Sequence, residues 1–237
     1  MKKRILCIMV ISSFMLLCAC STQESTQDIS KMYNEAVLDA MVAEKSEVQD
    51  LVELNTEDKM TTWNDGKVLL LTWNKYPDSY PKDATVELEY GSIWTFTDKE
   101  LLAWYQETKG EVEDYHLRLN QLIGLPPEDD NTHFTALWVN PDDIIRPAYF
   151  VDINSDEMDI TNANMDEEYK EWFDGNIISS YYSDWKYPWT RLGYTYDWSG
   201  KDDEYGLSEF LVKGNSKVEV EFTMTTEEFI SDMESKL

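Results

Sequence analysis

Apolar residues recur at two different spacings along this chain, and these spacings predict where helices and strands form. Between Ile29 and Met41 the apolar positions lie three and four residues apart, which is the period of a helix. Apolar residues return at Val48–Val52 after a polar interruption, so the pattern predicts either one long helix or two shorter ones. No heptad repeat is sustained, which favours packing of this segment against a domain over a free-standing stalk.

Short apolar or alternating runs bounded by turn residues predict the strands. These runs are Lys67–Trp73, Thr85–Thr97, Thr132–Val139, Ala148–Ile153, Trp189–Trp198, Gly206–Lys213 and Lys217–Met224. Gly91, in the middle of the second run, predicts a bulge or a tight bend. The tripeptide Gly214-Asn215-Ser216 between the last two runs predicts a hairpin.

Helical spacing and end signals predict further helices at Asp98–Lys109, Val112–Ile123 and Asp166–Phe173, and a terminal helix from Thr225 or Thr226 to Leu237. No internal repeat and no Gly/Ser-rich linker divides the chain. We therefore predict an α+β fold: a single domain with a largely antiparallel sheet, flanking helices and a helical N-terminal tether.

The first twenty residues have the composition of an export signal. Lys2, Lys3 and Arg4 precede an apolar run, Ile5–Leu17, that suits a signal-peptide core and is too short to cross a bilayer with its flanks. The run ends in Leu17-Cys18-Ala19-Cys20.

This ending resembles the lipobox of bacterial lipoprotein precursors, which carry a type II signal peptide, and the resemblance covers residues 1–20. It implies cleavage before Cys20, a thioether-linked diacylglycerol on the Cys20 sulfur, and an acyl chain such as palmitate on its amine. The alternative interpretation is an ordinary secretory signal with incidental cysteines. The resemblance sets off a signal peptide (1–19), and the apolar pattern divides the rest into a polar tether with an N-terminal helical segment (20–60) and one domain (61–237).

This resemblance also implies a location and limits the chemistry. The protein would be exported and anchored in the cell membrane or the outer membrane through the lipid on Cys20. Cys7 and Cys18 would leave with the signal peptide, so the mature chain would keep no free thiol for a disulfide, a zinc site or a nucleophile.

Composition and charge exclude several classes of protein. The 237 residues include 47 Asp and Glu against 20 Lys and Arg, a formal net charge of -27. A surface this acidic repels phosphates, so we predict no nucleic-acid partner. A hydrophobic content of 42% with 13% aromatic residues is sufficient for a core and excludes a disordered chain.

The sequence lacks the standard motifs of catalysis and of metal or nucleotide binding. His116 and His133 are the two histidines, too few for a multi-histidine metal site. The stretch Asp152–Asp159 resembles the start of a calcium loop, but Glu157 and Ala163 stand where such a loop needs Gly and Glu. A solvated acidic turn is favoured, and we predict no metal and no cofactor and assign no catalytic residue.

The first candidate binding residues are the three arginines that follow residue 20: Arg118, Arg146 and Arg191. Each lies among apolar or aromatic residues, where a guanidinium needs a partner. One interpretation is three structural ion pairs, with Arg146 paired to Asp142 or Asp143. The other is that two of the arginines converge on an anionic ligand in a cleft.

The second candidate is the aromatic segment between Trp185 and Trp198, with Trp189, Tyr194, Tyr196 and Trp198 as its candidate ligand contacts. It is either a recognition stripe for sugars or peptides, or an inner strand that fills the core. This segment and the stretch LNQLIGLPP faintly resemble uncharacterised exported bacterial proteins, and that resemblance implies no activity.

These observations favour an exported lipoprotein whose domain binds an envelope protein, a peptide or a glycan without catalysis. The alternative function is hydrolysis of an envelope or extracellular polymer by carboxylates in an aromatic cleft. A third possibility is a purely structural or immunity-type interaction protein that has no pocket.

Overall fold

The computed structural model of this protein describes residues 28–161, 165–201 and 203–236. The predicted signal peptide and Cys20 lie outside the described residues. Within the described ranges, no helix combines the length and the apolar character needed to cross a membrane.

Five helices and ten strands form the described structure. The helices are α1 (28–39), α2 (Asp98–Thr108), α3 (Tyr115–Leu122), α4 (Glu167–Tyr182) and α5 (Thr226–Ser235). The strands are β1 (Trp63–Asn64), β2 (Lys67–Asn74), β3 (Thr85–Glu87), β4 (Ile93–Thr97), β5 (His133–Val139), β6 (Ile144–Ile145), β7 (Tyr194–Tyr196), β8 (Tyr205–Ser208), β9 (Phe210–Val212) and β10 (Lys217–Thr225).

The strands form one large antiparallel sheet and one small hairpin. The large sheet has the order β3-β10-β5-β2-β4-β9-β6, with β1 paired to β2, and the hairpin joins β7 to β8. Strands β2 and β5 run side by side from Val68 opposite Val139 to Asn74 opposite His133. The prediction of a single α+β domain with a largely antiparallel sheet is therefore confirmed.

The sheet buries apolar side chains on both faces, which explains why β2 reads as a continuous apolar run. On one face Leu69 and Leu71 belong to a cluster with residues of α2, α3 and α5, including Leu101, Leu122 and Phe229. On the other face the cluster joins side chains of β2, β5, β9 and β10, among them Val68, Leu70, Leu137, Phe210 and Val220. Burial of each such side chain stabilises the fold by about 1.5–3 kcal/mol.

The N-terminal segment is one helix that packs on the domain. Tyr33, Val37 and Ala40 are buried in a cluster with Tyr181 and Trp198. The predicted second helical stretch around Val48–Val52 is wrong, because the chain makes a short 3-10 turn and then continues without helix to β1.

Two predicted strand arrangements are wrong because long-range pairing outweighs local turn signals. Thr85–Thr97 forms two strands, and Gly91, at φ 122, lies between them; β3 pairs with β10, whereas β4 pairs with β2 and β9. The bend predicted at Gly91 is confirmed. The hairpin predicted at Gly214-Asn215-Ser216 does not form, since that turn exchanges backbone hydrogen bonds of 3.0 Å with Leu88.

Three further segments differ from the elements that the sequence predicts for them. Ala148–Ile153 is not a strand: the Ala148 N–H donates to the Tyr169 hydroxyl, and Arg146 Nε donates to the Asp152 carbonyl. Within Trp189–Trp198 only β7 is a strand, because Arg191 and Gly193 adopt left-handed backbone conformations, at φ 61 and 84. The helix predicted at Asp166–Phe173 continues to Tyr182.

Candidate functional site

The candidate site is a cleft of about 610 Å³, a volume in the range of small-ligand sites. Its walls come from β4, the end of β2 with the segment that follows it, the loop after α3, the C-terminal half of α4 and the segment from Trp185 to Tyr196. Its aromatic lining consists of Trp73, Tyr76, Tyr80, Trp94, Phe96, Trp185, Tyr187, Trp189, Tyr194 and Tyr196. Its uncharged polar lining consists of Thr72, Asn74, Ser92, Thr95, Asn131, Asn176, Ser179, Ser180, Ser183 and Thr195.

The rim of the cleft carries exposed aromatic rings. Trp185 is 70% exposed and Tyr76 is 62% exposed, and Trp94 and Tyr187 are also exposed. Large aromatic side chains left in water at the mouth of a cleft are typical of recognition surfaces. They leave flat apolar faces available to a ligand.

The inner wall is fixed in place by its own contacts. Trp189 is buried, and its indole Nε1 donates a 3.0 Å hydrogen bond to the Pro147 carbonyl. The rings of Trp94 and Trp172 meet it, with centroids 6.2 and 5.9 Å from that of Trp189. Because these three rings brace one another, the aromatic surface is in place before a ligand arrives.

The inner wall also carries polar groups that need partners. Asn176 lines the cleft, and its Nδ2 is buried with no hydrogen-bond partner among the described residues. A buried amide without a partner is costly, and a ligand acceptor would satisfy it. No lysine or arginine is among the described residues that line the cleft.

Glu209 is the one charged residue among the described residues that line the cleft, and it lies between β8 and β9. Its backbone N–H donates to the Gly193 carbonyl over 2.9 Å. The side chain is 6% exposed, and Oε1 has no hydrogen-bond partner within the described ranges. Burial raises the pKa of Glu209 well above its ordinary value, against smaller opposing effects of Trp189 and Arg146.

The raised pKa of Glu209 predicts a pH-dependent stability. Above the ordinary glutamate pKa of about 4.3 the unfolded chain loses the Glu209 proton while the folded chain keeps it, so stability falls by up to about 1.4 kcal/mol per pH unit. Glu209→Gln removes this effect. Urea titrations between about pH 5 and about pH 8 should therefore show Glu209→Gln gaining stability over the native chain as the pH rises.

Glu89→Gln is the control for this prediction, since Glu89 is exposed and its replacement by Gln removes the same charge. Its stability should stay within about 0.5 kcal/mol of that of the native chain, as expected for a surface substitution. A pH-independent difference for Glu209→Gln would show that burial does not raise the pKa of Glu209 in the folded protein.

The three predicted arginines lie outside the described cleft lining, each with its own partners. Arg118 forms a two-pronged ion pair with Asp197, with Nη1 to Oδ1 at 3.0 Å. Arg191 donates to the Tyr149 hydroxyl and to the Ala40 carbonyl.

Arg146 is fully buried and binds backbone carbonyls rather than Asp142 or Asp143. Its guanidinium donates to the carbonyls of Val52, Asp152 and Ser155, at 2.8–3.2 Å, and lies 4.7 Å from the centre of the Phe210 ring. Burial lowers the pKa of Arg146 to about 10, which still leaves the group charged at neutral pH.

The predicted aromatic residues divide between cleft and core. Trp189 and Tyr196 line the cleft, whereas Tyr194 borders it with a side chain that is fully buried in a core cluster with Leu51 and Leu192. Trp198 is buried, donates through Nε1 to the carbonyls of Asn120 and Leu125, and packs against Tyr33 of α1. One segment thus fills the core and forms a cleft wall.

Sequence reasoning missed Tyr76, Trp94, Asn176 and Glu209 as cleft residues. They come from four separate segments, and their proximity depends on long-range strand pairing. Glu209 alone left a signal, as the single acid in the apolar run LSEFLV (207–212).

The other candidates for chemistry make local contacts. His116 Nε2 lies 3.1 Å from the Asn131 carbonyl, and the Asp152 carboxylate accepts the Asn154 N–H. Within the described parts of the chain, no three His, Cys, Asp or Glu side chains are grouped so that they could hold a metal ion.

Comparison of the chain with models of known protein families, with curated proteins and with solved structures finds no match.

Proposed function

We propose that this protein is an exported, lipid-anchored lipoprotein that binds a saccharide of the cell envelope in the aromatic cleft without transforming it. The observation that carries the proposal is the pairing of exposed Trp and Tyr rings with Asn, Ser and Thr side chains in one cleft.

Sugar rings present two kinds of surface, and the cleft offers a partner for each. Their C–H faces pack on aromatic rings, and their hydroxyls exchange hydrogen bonds with amides and hydroxyls. A cleft without lysine or arginine among its described lining residues does not favour an anionic ligand. A saccharide without acidic groups is therefore the class of ligand that fits best.

The alternative function, polymer hydrolysis, needs two carboxylates about 5–9 Å apart that flank the scissile bond. Glu209 is the only acidic residue among the described residues that line the cleft. This lining supports binding over a hydrolysis by two carboxylates.

A tryptophan at the rim gives a direct test of saccharide binding. Trp185→Ala removes the most exposed ring of the cleft and should weaken binding about tenfold, the equivalent of about 1.4 kcal/mol of stacking. The full chain in detergent is applied to a saccharide array that includes sugars with free and acetylated amines, and each hit is titrated by calorimetry.

Tyr90→Ala is the matched control, because Tyr90 is 97% exposed and does not line the cleft. It should bind like the native chain. An array with no saccharide hit, or equal losses in the two variants, would contradict the proposal.

The proposed anchoring depends on Cys20. Cys20→Ser should abolish incorporation of labelled palmitate and release the protein from the membrane fraction, because the lipid supplies the anchor. Retention of the Cys20→Ser chain in the membrane fraction, with unchanged labelling, would show that the protein is held there by other means.

A further inference from the structure

We propose that the saccharide bound in the cleft carries a protonated amine and that the Glu209 carboxylate is its counter-ion. This inference rests on the proposed function and deepens it, since it names the group that distinguishes the ligand from other sugars.

The position of Glu209 is the first argument. A glutamate that is 6% exposed and has an unpartnered oxygen lies in the wall of a cleft that is otherwise lined by uncharged side chains. Buried polar atoms are almost always hydrogen-bonded, so an orphaned one in a ligand cleft indicates that the ligand supplies the partner. An ammonium group supplies up to three donors and a positive charge.

Its surroundings favour a cation. Indole rings attract cations through their negative faces, and Trp94 and Trp189 both line the cleft. The net charge of -27 concentrates cations around the protein and repels anions. The aromatic wall of the cleft and the net charge of the protein therefore both favour a positively charged ligand.

The ionisable groups that act on Glu209 do not replace such a ligand. Tyr169 and Tyr181 of α4 stay protonated, because burial raises the pKa of both phenols. Arg146 is charged, but every hydrogen bond its guanidinium makes within the described ranges goes to a backbone carbonyl. Its charge instead helps the Glu209 carboxylate to form when a ligand cation arrives.

Binding therefore includes a proton transfer. Because burial raises the pKa of Glu209 well above its ordinary value, the proposal takes the carboxyl as protonated in the free protein at mildly acidic pH. When the ammonium enters, that proton leaves to the buffer and the carboxylate accepts an N–H hydrogen bond from the ammonium. One proton is released for each amine bound, and no other bond changes.

The test uses two matched sugars, the glucosamine disaccharide and its N-acetylated form, titrated by calorimetry into the full chain in detergent. At mildly acidic pH the free amine is protonated, so released protons come from the protein. The proposal predicts that the amine form binds about tenfold tighter or more, and that its binding heat depends on the ionisation enthalpy of the buffer.

Two variants test whether Glu209 is responsible for the amine preference and for the proton release. Glu209→Gln should lose the preference for the amine and the proton release, and circular dichroism checks that this variant is folded. Glu89→Gln, with the same charge removed from an exposed position, should behave like the native chain. The comparison of the two sugars on the native chain still tests the amine preference and the proton release if Glu209→Gln fails to fold.

The outcomes separate the two proposals. Equal binding of both sugars without proton release overturns the amine proposal and leaves saccharide binding in place. An amine preference that survives in Glu209→Gln overturns the role of Glu209. Binding of neither sugar by the folded native chain, in line with an empty saccharide array, overturns both proposals.

Discussion

Replacement of Gly206 by alanine is expected to destabilise the protein by about 4 kcal/mol or more, a loss large enough to unfold many domains. A Cβ at this position would lie 2.2 Å from the Leu122 carbonyl oxygen and 2.3 Å from Thr195 Oγ1. These two atoms already share a hydrogen bond of 2.8 Å, and Thr195 Oγ1 also accepts the Leu207 N–H. The added methyl group must therefore push α3 away from the β7–β8 hairpin or break both bonds.

Gly175→Ala is the matched control for Gly206→Ala. Gly175 lies within α4, and a Cβ there meets no atom within 4 Å. Because alanine is the better helix former, this variant should gain up to about 1 kcal/mol. Urea denaturation followed by circular dichroism measures the free energy of unfolding of both variants. Equal stabilities would show that α3 moves away from the added methyl group without loss of stability.

Removal of one partner of the Arg118–Asp197 pair is expected to cost about 3–5 kcal/mol. The two side chains are only 11% and 8% exposed and meet through the two terminal guanidinium nitrogens and both carboxylate oxygens. Arg118→Met leaves the Asp197 carboxylate buried with the Ser199 N–H as a remaining donor. The loss arises from an unpaired buried charge, so the double variant Arg118→Met/Asp197→Leu should regain most of the stability.

The exposed pair Lys31–Glu35 provides the comparison for the buried pair, since its side chains are mostly in water. Lys31→Met should change stability by less than about 1 kcal/mol. A double-mutant cycle for Arg118 and Asp197, from urea titrations at neutral pH, measures the coupling. A coupling near zero would mean that the buried pair contributes no more than the exposed one.

Local sequence signals predicted much of the fold. The apolar run of β2, the spacing of α2 and the cap of α5 at Thr225 all coincide with the structure, because each signal acts within its own segment. In the structure the Thr225 side chain and Glu228 form a reciprocal capping box.

Long-range pairing could not be predicted in the same way. The turn after β9 has hairpin residues, yet β9 pairs with β4 and β6, whereas β10 pairs with β3 and β5. Strand partners are selected by burial across the whole sheet, and a turn sequence carries no information about strands far along the chain.

The site was predictable only in part, for the same reason. The aromatic segment after α4 contributes Trp189, Tyr194 and Tyr196, so composition indicated one wall. Tyr76, which follows β2, and Trp94 of β4 come from other parts of the chain, and their place in the cleft depends on the pairing of β2 with β4. Glu209 gains its chemistry from burial, which a list of 47 acidic residues does not reveal.

The most direct test of saccharide binding in the cleft follows the indole N–H signals of the tryptophans by nuclear magnetic resonance. A partly deacetylated chito-oligosaccharide is added to the full chain in detergent. The proposal predicts that the signals of Trp94, Trp185 and Trp189 shift with the bound fraction, while those of Trp63 and Trp104, which do not line the cleft, stay in place. Unchanged signals from the three cleft tryptophans, or shifts confined to Trp63 and Trp104, would contradict it.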